Sequence, residues 1–355
     1  MSDRPSPSSS AIAALRGELN SLLDQLPMSA NGDLMLQALA TLTEIGQADT
    51  DRLNLKILSS TLKDVGRAFR TLAPYRHDRK IAIFGSARTS PQAAEYQMAR
   101  DFSAYVTSQG FMVITGGGGG IMEAGNQGAG HGKSLGLNIE LPFEQGSNAF
   151  INSNDMLVTF KYFFTRKLFF LKESDALAIF PGGFGTQDEA FECLTLSQTG
   201  KSVPVPIVLI DKPGGDYWQN WAKYLEKNLL GQGLINANDF SLFTITDRLD
   251  VACEAISSFY TVYHSSRYVD GKLVLRLKAV LSDEAMAELN DRFSDILVKG
   301  TIDRSPALPQ EIDDESFTLP RIVLHFNQRD LGRLYEMIRA INRLGTVEFA
   351  HPERK

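Results

Sequence analysis

Short apolar runs alternate with stretches of helical periodicity through the middle of the chain. The runs predict buried strands and lie at residues 81–84, 111–115, 135–139, 156–160, 176–180 and 206–210. The helical stretches lie at about 91–108, 121–130, 162–172, 190–194, 218–229 and 248–263. Strands that alternate with helices predict an α/β protein with a Rossmann-like, doubly wound and mainly parallel sheet, covered by helices on both faces.

The N-terminal residues 1–77 show a different pattern. Residues 1–10 are rich in Ser and Pro, which is typical of a disordered tip. Residues 11–26, 33–47 and 51–73 carry apolar positions at helical spacing, and Pro74 is expected to end the last of these helices. We therefore predict a helical extension that packs on the body of the protein or on another subunit.

The pattern changes again over residues 270–355. Strands are predicted at 272–277, near 300–304, at 321–326 and at 346–350, with an acidic loop at 305–319. Ser282 can cap a helix to about Val298, and a second helix is expected at 331–344. The predicted order βαββαβ is ferredoxin-like. Such a small α+β module could be structural or dimerising, or it could hold a regulatory ligand. Residues 78–264, between the helical extension and this module, form the predicted main domain.

Composition narrows the function classes. An apolar fraction of 43% is normal for a soluble protein, and a net charge of −6 disfavours a general binder of nucleic acid polymers. The two cysteines, Cys193 and Cys253, have no zinc or redox spacing and are expected to be reduced core thiols. Neither an apolar signal core nor an 18-residue apolar run is present, so we expect a cytoplasmic protein without a membrane partner.

One glycine-rich stretch, Pro-Gly-Gly-Phe-Gly-Thr-Gln-Asp-Glu at 181–189, follows a predicted strand and precedes a helix. In an α/β sheet such a turn lies at the carboxyl ends of the strands, where ligands bind. Gly182, Gly183 and Gly185 let the backbone approach a phosphate, and Thr186 can cap the helix. Glu189 is a carboxylate that can act on another part of the same ligand.

A second glycine cluster, at 116–120, also follows a predicted strand. It fits neither the dinucleotide fingerprint G-x-G-x-x-G nor a P-loop, which disfavours NAD and nucleoside triphosphate sites. Gly117 and Gly118 remain a backbone surface for a ligand. Glu123, in the first turn of the next helix, is either a ligand contact or only a partner of the helix dipole.

Arg166 and Lys167 interrupt an aromatic stretch at 162–170 just before the strand that leads into 181–189. They are either a solvated pair or ligands for a phosphate, a ribose hydroxyl or Glu189; an arginine gives forked recognition of oxyanions. Ser86, after the first strand, is a phosphate or ribose donor or simply a turn serine. Neither metal-ligand spacing of histidines nor a G-x-S-x-G motif is present, which disfavours metal hydrolysis and acyl transfer.

The glycine cluster ending in Ile-Met-Glu123, the Arg166-Lys167 pair and the complete P-G-G-x-G-T-x-x-E motif together resemble the LOG family of phosphoribohydrolases, formerly mislabelled lysine decarboxylases. The resemblance covers about residues 78–264, in the form of the longer bacterial branch. It implies hydrolysis of the N-glycosidic bond of a nucleoside 5′-monophosphate to free base and ribose 5-phosphate, without a cofactor, by a homodimer or larger homo-oligomer.

The resemblance assigns Arg166 and Glu189 as the catalytic pair. Glu189 would stabilise the ribosyl cation and activate water, and Arg166 would assist and keep it ionised. The substrate-binding residues implied or proposed are Ser86, Gly117, Gly118, Glu123, Lys167, Gly182, Gly183, Gly185 and Thr186. Two alternatives stay open: a non-catalytic nucleotide or molybdenum-cofactor binding protein, and a decarboxylase with a pyridoxal-linked Lys167.

Overall fold

The computed structural model describes residues 8–29, 31–141, 146–151, 154–311 and 316–349. The chain divides into two compact units, one up to Leu62 and the other from Lys63 onwards. Within the described ranges, none of the helices combines the length and the apolar character that crossing a bilayer requires.

Three helices occupy the N-terminal region, and all three were predicted. They are α1 (Ser9–Gln25), α2 (Gly32–Gln47) and α3 (Arg52–Leu72), of which α3 runs into the second unit. The expected disorder is wrong for Ser9 and Ser10, because the Ser8 hydroxyl accepts the Ala11 N–H at 3.2 Å and caps α1. Residues 1–7 lie outside the described ranges. As predicted, α3 ends just before Pro74.

The second unit is built on a parallel sheet with seven strands among the described residues, in the order β4-β3-β2-β1-β5-β6-β7. Its strands are β1 (Lys80–Phe84), β2 (Met112–Thr115), β3 (Ser134–Ile139), β4 (Leu157–Phe160), β5 (Ala176–Ile179), β6 (Ile207–Ile210) and β7 (Phe243–Thr246). The order reverses between β1 and β5. The predicted doubly wound α/β class is thus confirmed, and the sheet places its topological switch point between those two strands.

Helices cover both faces of this sheet: α4 (Ala94–Ser108), α5 (Ile121–Ala129), α6 (Phe163–Glu173), α7 (Phe184–Gln198), α8 (Tyr217–Asn228) and α9 (Leu249–Ser257). Alternate residues of each strand enter opposite cores. Ile81 and Ile83 pack with α4, α5 and α9, whereas Ala82 and Phe84 pack with α3, α6, α7 and α8. Burial on both faces explains why the central strands are almost continuously apolar.

Two features of this region differ from the prediction. The edge strand β7 was missed because Phe243, Thr244 and Ile245 are only half-buried, and its Phe-Thr-Ile-Thr sequence has no continuous apolar run. The helix predicted over 248–263 is too long. It ends at Ser257 and is followed by a short 3-10 turn and then by a strand. Cys193 and Cys253 are both buried, as predicted.

The C-terminal module is α+β, but the predicted βαββαβ order is wrong. The order is β8 (Tyr263–Val269), β9 (Lys272–Leu277), α10 (Asp283–Phe293), β10 (Leu297–Ser305), β11 (Arg321–Phe326) and α11 (Leu331–Phe349), with an antiparallel sheet β10-β11-β9-β8. Strand β8 was not predicted because its sequence, Tyr-His-Ser-Ser-Arg-Tyr-Val, is mostly polar. Asp270 and Gly271, with φ of 48° and 76°, form the two-residue turn that joins β8 to β9.

The strand predicted at 346–350 is also wrong, since residues 346–349 continue α11 and Ala350 lies outside the described ranges. Gly345 does not end the helix. A Cβ there would lie 2.7 Å from the Val262 side chain, so this glycine lets α11 approach the chain segment before β8. Ser282 caps α10 as predicted, with its hydroxyl accepting the Ala285 N–H at 3.1 Å.

The module and the parallel sheet share one hydrophobic core. Ile338 of α11 and Leu275 of β9 belong to the same buried cluster as Ile83 and Val208 of the parallel sheet. The Tyr335 hydroxyl also accepts the Val205 N–H at 3.2 Å, just before β6. The module is therefore packed into the second unit and does not stand apart from it.

Candidate active site

Three turns meet at the carboxyl edge of the sheet, around its switch point. They follow β1, β2 and β5. The Ser86 N–H, after β1, donates to the Pro181 carbonyl after β5 at 3.1 Å, and the Ile121 N–H at the start of α5 donates to the Ser86 carbonyl at 3.0 Å. Both predicted glycine-rich turns and the turn with Ser86 thus lie side by side.

Several glycines of these turns are required by close packing. A Cβ at Gly85 would lie 2.6 Å from the Ile121 side chain. A Cβ at Gly120 would lie 2.3 Å from the Ser86 carbonyl oxygen, and its φ of +63° also favours glycine. The turns after β1 and β2 can therefore touch only because neither has a side chain at these positions.

The turn after β5 combines one glycine needed for packing with two that are not. A Cβ at Gly182 would lie 2.1 Å from Thr186 Oγ1 and 3.0 Å from the Ser86 nitrogen. A Cβ at Gly183 or Gly185 would meet no protein atom within 4 Å, and neither residue has a positive φ. Both line the cleft described below, so their missing side chains leave room for a ligand against the backbone.

The helix α7 begins with Gly183 as its N-cap, which corrects the prediction that Thr186 caps it. Thr186 lies inside the first turn, is 6% exposed and turns its hydroxyl towards Gly182. It shares the buried face of α7 with Glu189, three residues further on. The amino end of α7 therefore opens onto the cleft with free space beside its first N–H groups, a favourable place for an anion.

Arg166 and Glu189 are brought together as predicted. Arg166 Nη2 lies 3.5 Å from Glu189 Oε1, and the two side chains are 15% and 5% exposed. The guanidinium carbon lies 5.0 Å from the ring centroid of Phe163 and 5.7 Å from that of Phe170, which occupy the same face of α6. These rings hold the arginine over the cleft.

Contacts with α3 and with β1 fix the position of α6. Asp64, 5% exposed on the last part of α3, accepts the Lys161 N–H at 2.8 Å in the turn that leads into α6. Phe170 packs on Phe84 at the end of β1, with ring centroids 4.8 Å apart. Arg166 is consequently presented from a helix that is anchored both to α3 and to the sheet.

Burial raises the pKa of Glu189 above the ordinary glutamate range, and this effect prevails over the neighbouring charges of Arg166 and Lys167, which lower it. Arg166 thus favours the ionised form, as expected, without restoring an ordinary pKa. A buried carboxylate with a perturbed pKa in a cleft is a typical mark of a functional site.

Lys167 points away from this pair. Its Nζ lies 2.9 Å from Asp188 Oδ2 and 2.5 Å from Glu192 Oε2. Burial acts to lower the pKa of Lys167, but the hydrogen bonds to Glu192 and Asp188 outweigh it and raise the pKa. The amine is held protonated between two carboxylates.

The turns, α6 and α7 enclose a cleft of ≈ 970 Å³. Of the residues predicted from sequence, eight line it: Ser86, Gly118, Arg166, Gly182, Gly183, Gly185, Thr186 and Glu189. Gly117, Glu123 and Lys167 are not part of its lining.

Gly117 and Glu123 stand behind the cleft surface. Gly117 is buried, has a φ of +72° and donates its N–H to the Thr115 hydroxyl at 2.9 Å. The Asn148 N–H donates to the Gly117 carbonyl at 2.8 Å, so this glycine shapes the loop and its backbone groups are occupied. Glu123 lies in the first turn of α5, where its charge contributes to the raised pKa of Tyr96, mainly an effect of burial.

Sequence reasoning missed Arg88 and Tyr217. Arg88 is an exposed cation on the cleft wall, two residues after Ser86, whose hydroxyl accepts the Arg88 N–H at 3.1 Å. The Tyr217 hydroxyl donates to the Gly182 carbonyl and accepts from Gln187 Nε2, both at 2.6 Å. The position of Arg88 in the turn after β1 was a usable signal, whereas Tyr217 reaches the cleft only through the tertiary fold.

The fold and the site define a Rossmann-like α/β protein whose ligand cleft lies at the switch point of the sheet. Residues 120–256 match the family model described as "Possible lysine decarboxylase". The matched region lies within residues 78–264, where the sequence resembles the LOG family, and the match is consistent with that resemblance. None of the curated proteins matches the sequence significantly.

Several solved structures are similar to about half of the chain. The molybdenum cofactor binding protein from Rippkaea orientalis is 19% identical, with 51% of this chain and 97% of that chain covered and a TM-score of 0.36. The molybdenum cofactor carrier protein from Chlamydomonas reinhardtii is 18% identical, with 50% of this chain and 96% of that chain covered and a TM-score of 0.35. DNA processing protein A from Helicobacter pylori is 14% identical, with 49% of this chain and 78% of that chain covered and a TM-score of 0.34.

Proposed function

We propose that the protein hydrolyses the N-glycosidic bond of a nucleoside 5′-monophosphate to a free base and ribose 5-phosphate. The observation that carries this proposal is the buried Arg166–Glu189 pair, with 3.5 Å between its nitrogen and oxygen, in the same cleft as the glycine turn at the start of α7. One cleft thus offers a place for a phosphate and, beside it, a carboxylate for the sugar.

The phosphate is proposed to lie against Gly183 and Gly185. No protein atom would meet a Cβ at either position, and the first N–H groups of α7 favour negative charge there. Arg88, which also lines the cleft, adds a cation for the same group. Binding of the phosphate fixes the ribose relative to Glu189, which lowers the entropic part of the barrier.

Glu189 is proposed to act at the anomeric carbon. Breaking the bond to the base develops positive charge on the ribose, and a carboxylate in a poorly solvated site stabilises that charge strongly. The carboxylate also orients or deprotonates the attacking water, whose oxygen forms the new bond to the anomeric carbon as the bond to the base breaks. The base nitrogen keeps the electron pair of the broken bond and takes up one proton, so that water is divided between the two products. Arg166 holds the carboxylate in place and favours its ionised form.

The decarboxylase alternative has less support. A lysine that forms a Schiff base with pyridoxal must lose its proton, and its pKa is usually lowered for that purpose. The hydrogen bonds of Lys167 to Asp188 and Glu192 instead raise its pKa, and the side chain does not line the cleft. The name of the matched family model is therefore not a guide to the reaction.

The test is the release of free base from AMP, GMP, CMP, UMP and isopentenyladenosine monophosphate, followed by chromatography. We expect turnover of at least one of these. Glu189→Gln is expected to lower kcat/KM by about 10²–10⁴-fold or more, the usual effect of losing a general base. Glu226→Gln, on the exposed side of α8, is the matched control and should be fully active.

Two outcomes would contradict the proposal. One is a folded wild-type protein that releases base from none of the five nucleotides. The other is tight nucleotide binding in calorimetry, without turnover and unaffected by Glu189→Ala, which would favour the non-catalytic binding protein.

We also propose that the protein is a homodimer or a larger homo-oligomer. Apolar side chains are exposed on α6 and at the start of α7, namely Phe163, Phe164, Leu168 and Phe184, with 49%, 56%, 56% and 97% of their surface accessible. A second copy that covers them would also shield the cleft from water. Light scattering that reports a mass of 39.2 kDa at working concentrations would contradict this part of the proposal.

A further inference from the structure

A second polar cavity, of ≈ 460 Å³, lies at the amino edge of the parallel sheet. It is formed where β1 and β5 begin, by the segments 76–80 and 171–175, and it is closed by residues 203–205 and by the start of β8. Because the strands are parallel, the cleft with Glu189 lies at the opposite edge of the sheet. The two sites are therefore separate.

Arg79 is held rigidly at the wall of this cavity. Its guanidinium carbon lies 3.7 Å from the ring centroid of Tyr260, and Nη2 donates to the His264 carbonyl at 3.5 Å. Nη1 is buried and has no hydrogen-bond partner among the described residues. A cationic N–H donor that is buried without an acceptor is unfavourable unless a ligand completes it.

Ser174 presents a second such group. Its side chain is 9% exposed, and Oγ has no hydrogen-bond partner among the described residues. The backbone brings it next to Arg79, because the Asp175 N–H donates to the Lys80 carbonyl at 2.8 Å and Ile81 pairs with Ala176 in the ladder. Two unsatisfied polar groups from neighbouring strand starts thus line the same cavity.

The charge of the lining favours an anion. It contains four Arg or Lys side chains, three Asp or Glu side chains and two histidines, against a net charge of −6 for the whole chain. Glu173 is already occupied, with Lys80 Nζ at 3.4 Å and an ion pair to Lys172. With the histidines neutral, the lining therefore carries one positive side chain more than it carries negative ones.

We propose that this cavity binds the phosphate group of a small phosphorylated molecule, with Arg79 Nη1 and Ser174 Oγ donating to its oxygens. The two donors come from different segments, Arg79 just before β1 and Ser174 at the end of α6, so they can donate to two different oxygens of one tetrahedral oxyanion. An arginine fork and a hydroxyl are common partners of phosphate. The site adjoins β8 and so gives the C-terminal module a part in ligand binding.

The test is calorimetry with pyrophosphate as the probe and citrate as the carboxylate comparison. We expect saturable binding of pyrophosphate that weakens by about tenfold or more in Ser174→Ala and in Arg79→Lys, the effect of losing one hydrogen bond to a charged group. Since Ser174 Oγ has no protein partner, Ser174→Ala should keep the wild-type melting temperature without ligand and lose the pyrophosphate-induced rise.

Matched controls separate this site from the cleft. Arg292→Lys, at an exposed position of α10, should bind pyrophosphate in this cavity like wild type. Arg88→Gln, which alters the proposed phosphate site of the cleft, should also leave binding in this cavity unchanged. If Arg79→Lys does not fold, the result for Ser174→Ala is the deciding measurement. The proposal is overturned by absent binding up to about 10 mM, by unchanged binding in Ser174→Ala, by loss of all pyrophosphate binding in Arg88→Gln, or by citrate binding more tightly than pyrophosphate.

Discussion

The hydroxyl of Tyr217 donates to the Gly182 carbonyl at 2.6 Å and thereby ties α8 to the turn that carries the proposed phosphate site. The same hydroxyl accepts a hydrogen bond from Gln187 at 2.6 Å, so it also holds the first turn of α7. The glycine turn is otherwise short of side chains that could fix it. Together with the hydrogen bond from the Ser86 N–H to the Pro181 carbonyl, this phenol therefore positions the backbone of the turn.

Tyr217→Phe should loosen this turn while the fold is kept. We expect a loss of about 1 kcal/mol in the free energy of unfolding, the usual value of one hydrogen bond, and a higher KM for the nucleotide. Tyr224→Phe, on the exposed side of the same helix, is the control. Equal KM values for the two variants would show that the hydroxyl has no positioning role.

Two neighbouring glycines should respond differently to alanine. Gly182→Ala places a Cβ 2.1 Å from Thr186 Oγ1, and we expect it to destabilise the protein by about 1–3 kcal/mol, as overpacking does. Gly183→Ala meets no protein atom within 4 Å, so it should cost only the difference between glycine and alanine at an N-cap, about 1 kcal/mol or less, while it weakens nucleotide binding. Thermal unfolding and calorimetry on both variants check this. Wild-type nucleotide affinity in Gly183→Ala would rule out a phosphate against that residue.

The pH dependence should report Glu189. Burial raises its pKa in the folded protein, so the folded state holds the proton more tightly than the unfolded chain, where the value is about 4.3. The free energy of unfolding of wild type, relative to Glu189→Gln, should therefore fall as the pH rises from that ordinary value through the raised one, and then level off. Denaturant titrations between pH 4 and 8 on both proteins measure this difference.

The pH profile of kcat/KM should show the same shift. Its decrease on the acid side, which reports protonation of Glu189, should occur at a pH above the ordinary glutamate pKa range. Arg166→Gln removes a charge that lowers the pKa of Glu189 and should move the limb of the residual activity to higher pH. A limb that stays in place in Arg166→Gln would mean that another group controls the reaction.

Glu311 should be a stability residue of the C-terminal module. It is fully buried, and its oxygens accept hydrogen bonds from Arg276 and Arg321 at 2.6 Å and 2.9 Å. Glu311→Gln removes the negative charge that two buried guanidinium groups contact, and should cost about 3–5 kcal/mol. Chemical denaturation measures this, with Glu288→Gln on exposed α10 as a control that should change little.

Burial acts to raise the pKa of Glu311, but hydrogen bonds from Arg276 and the Leu308 N–H, together with the charge of Arg321, hold it below the ordinary range. Its contribution to stability should therefore be present above the ordinary glutamate value and be lost as the pH falls through the folded value. A wild-type stability that does not decline in this acid range more than that of Glu311→Gln would contradict this account.

The amino-acid sequence by itself determined the parallel sheet and the placing of its glycine turns. Strands such as β1 and β5 are buried on both faces, so their apolar runs are visible without the structure. The resemblance to the LOG family implied Arg166 and Glu189 as a pair, whereas the residue patterns alone left Glu189 as one of several possible partners of Arg166. The half-polar strands β7 and β8 gave no such signal, and α11 continues beyond its predicted end at residue 344.

Only the tertiary structure decided which polar groups meet. It placed Glu123 and Lys167 outside the cleft lining and brought Tyr217 into it. It also set Ser174 beside Arg79, about a hundred residues away along the chain, in a cavity closed by β8. Such contacts depend on strand order and on helix packing across the sheet, for which short-range periodicity carries no information. The sequence therefore determined which residue types lie in each turn and strand, and the tertiary structure determined which of their side chains contact one another.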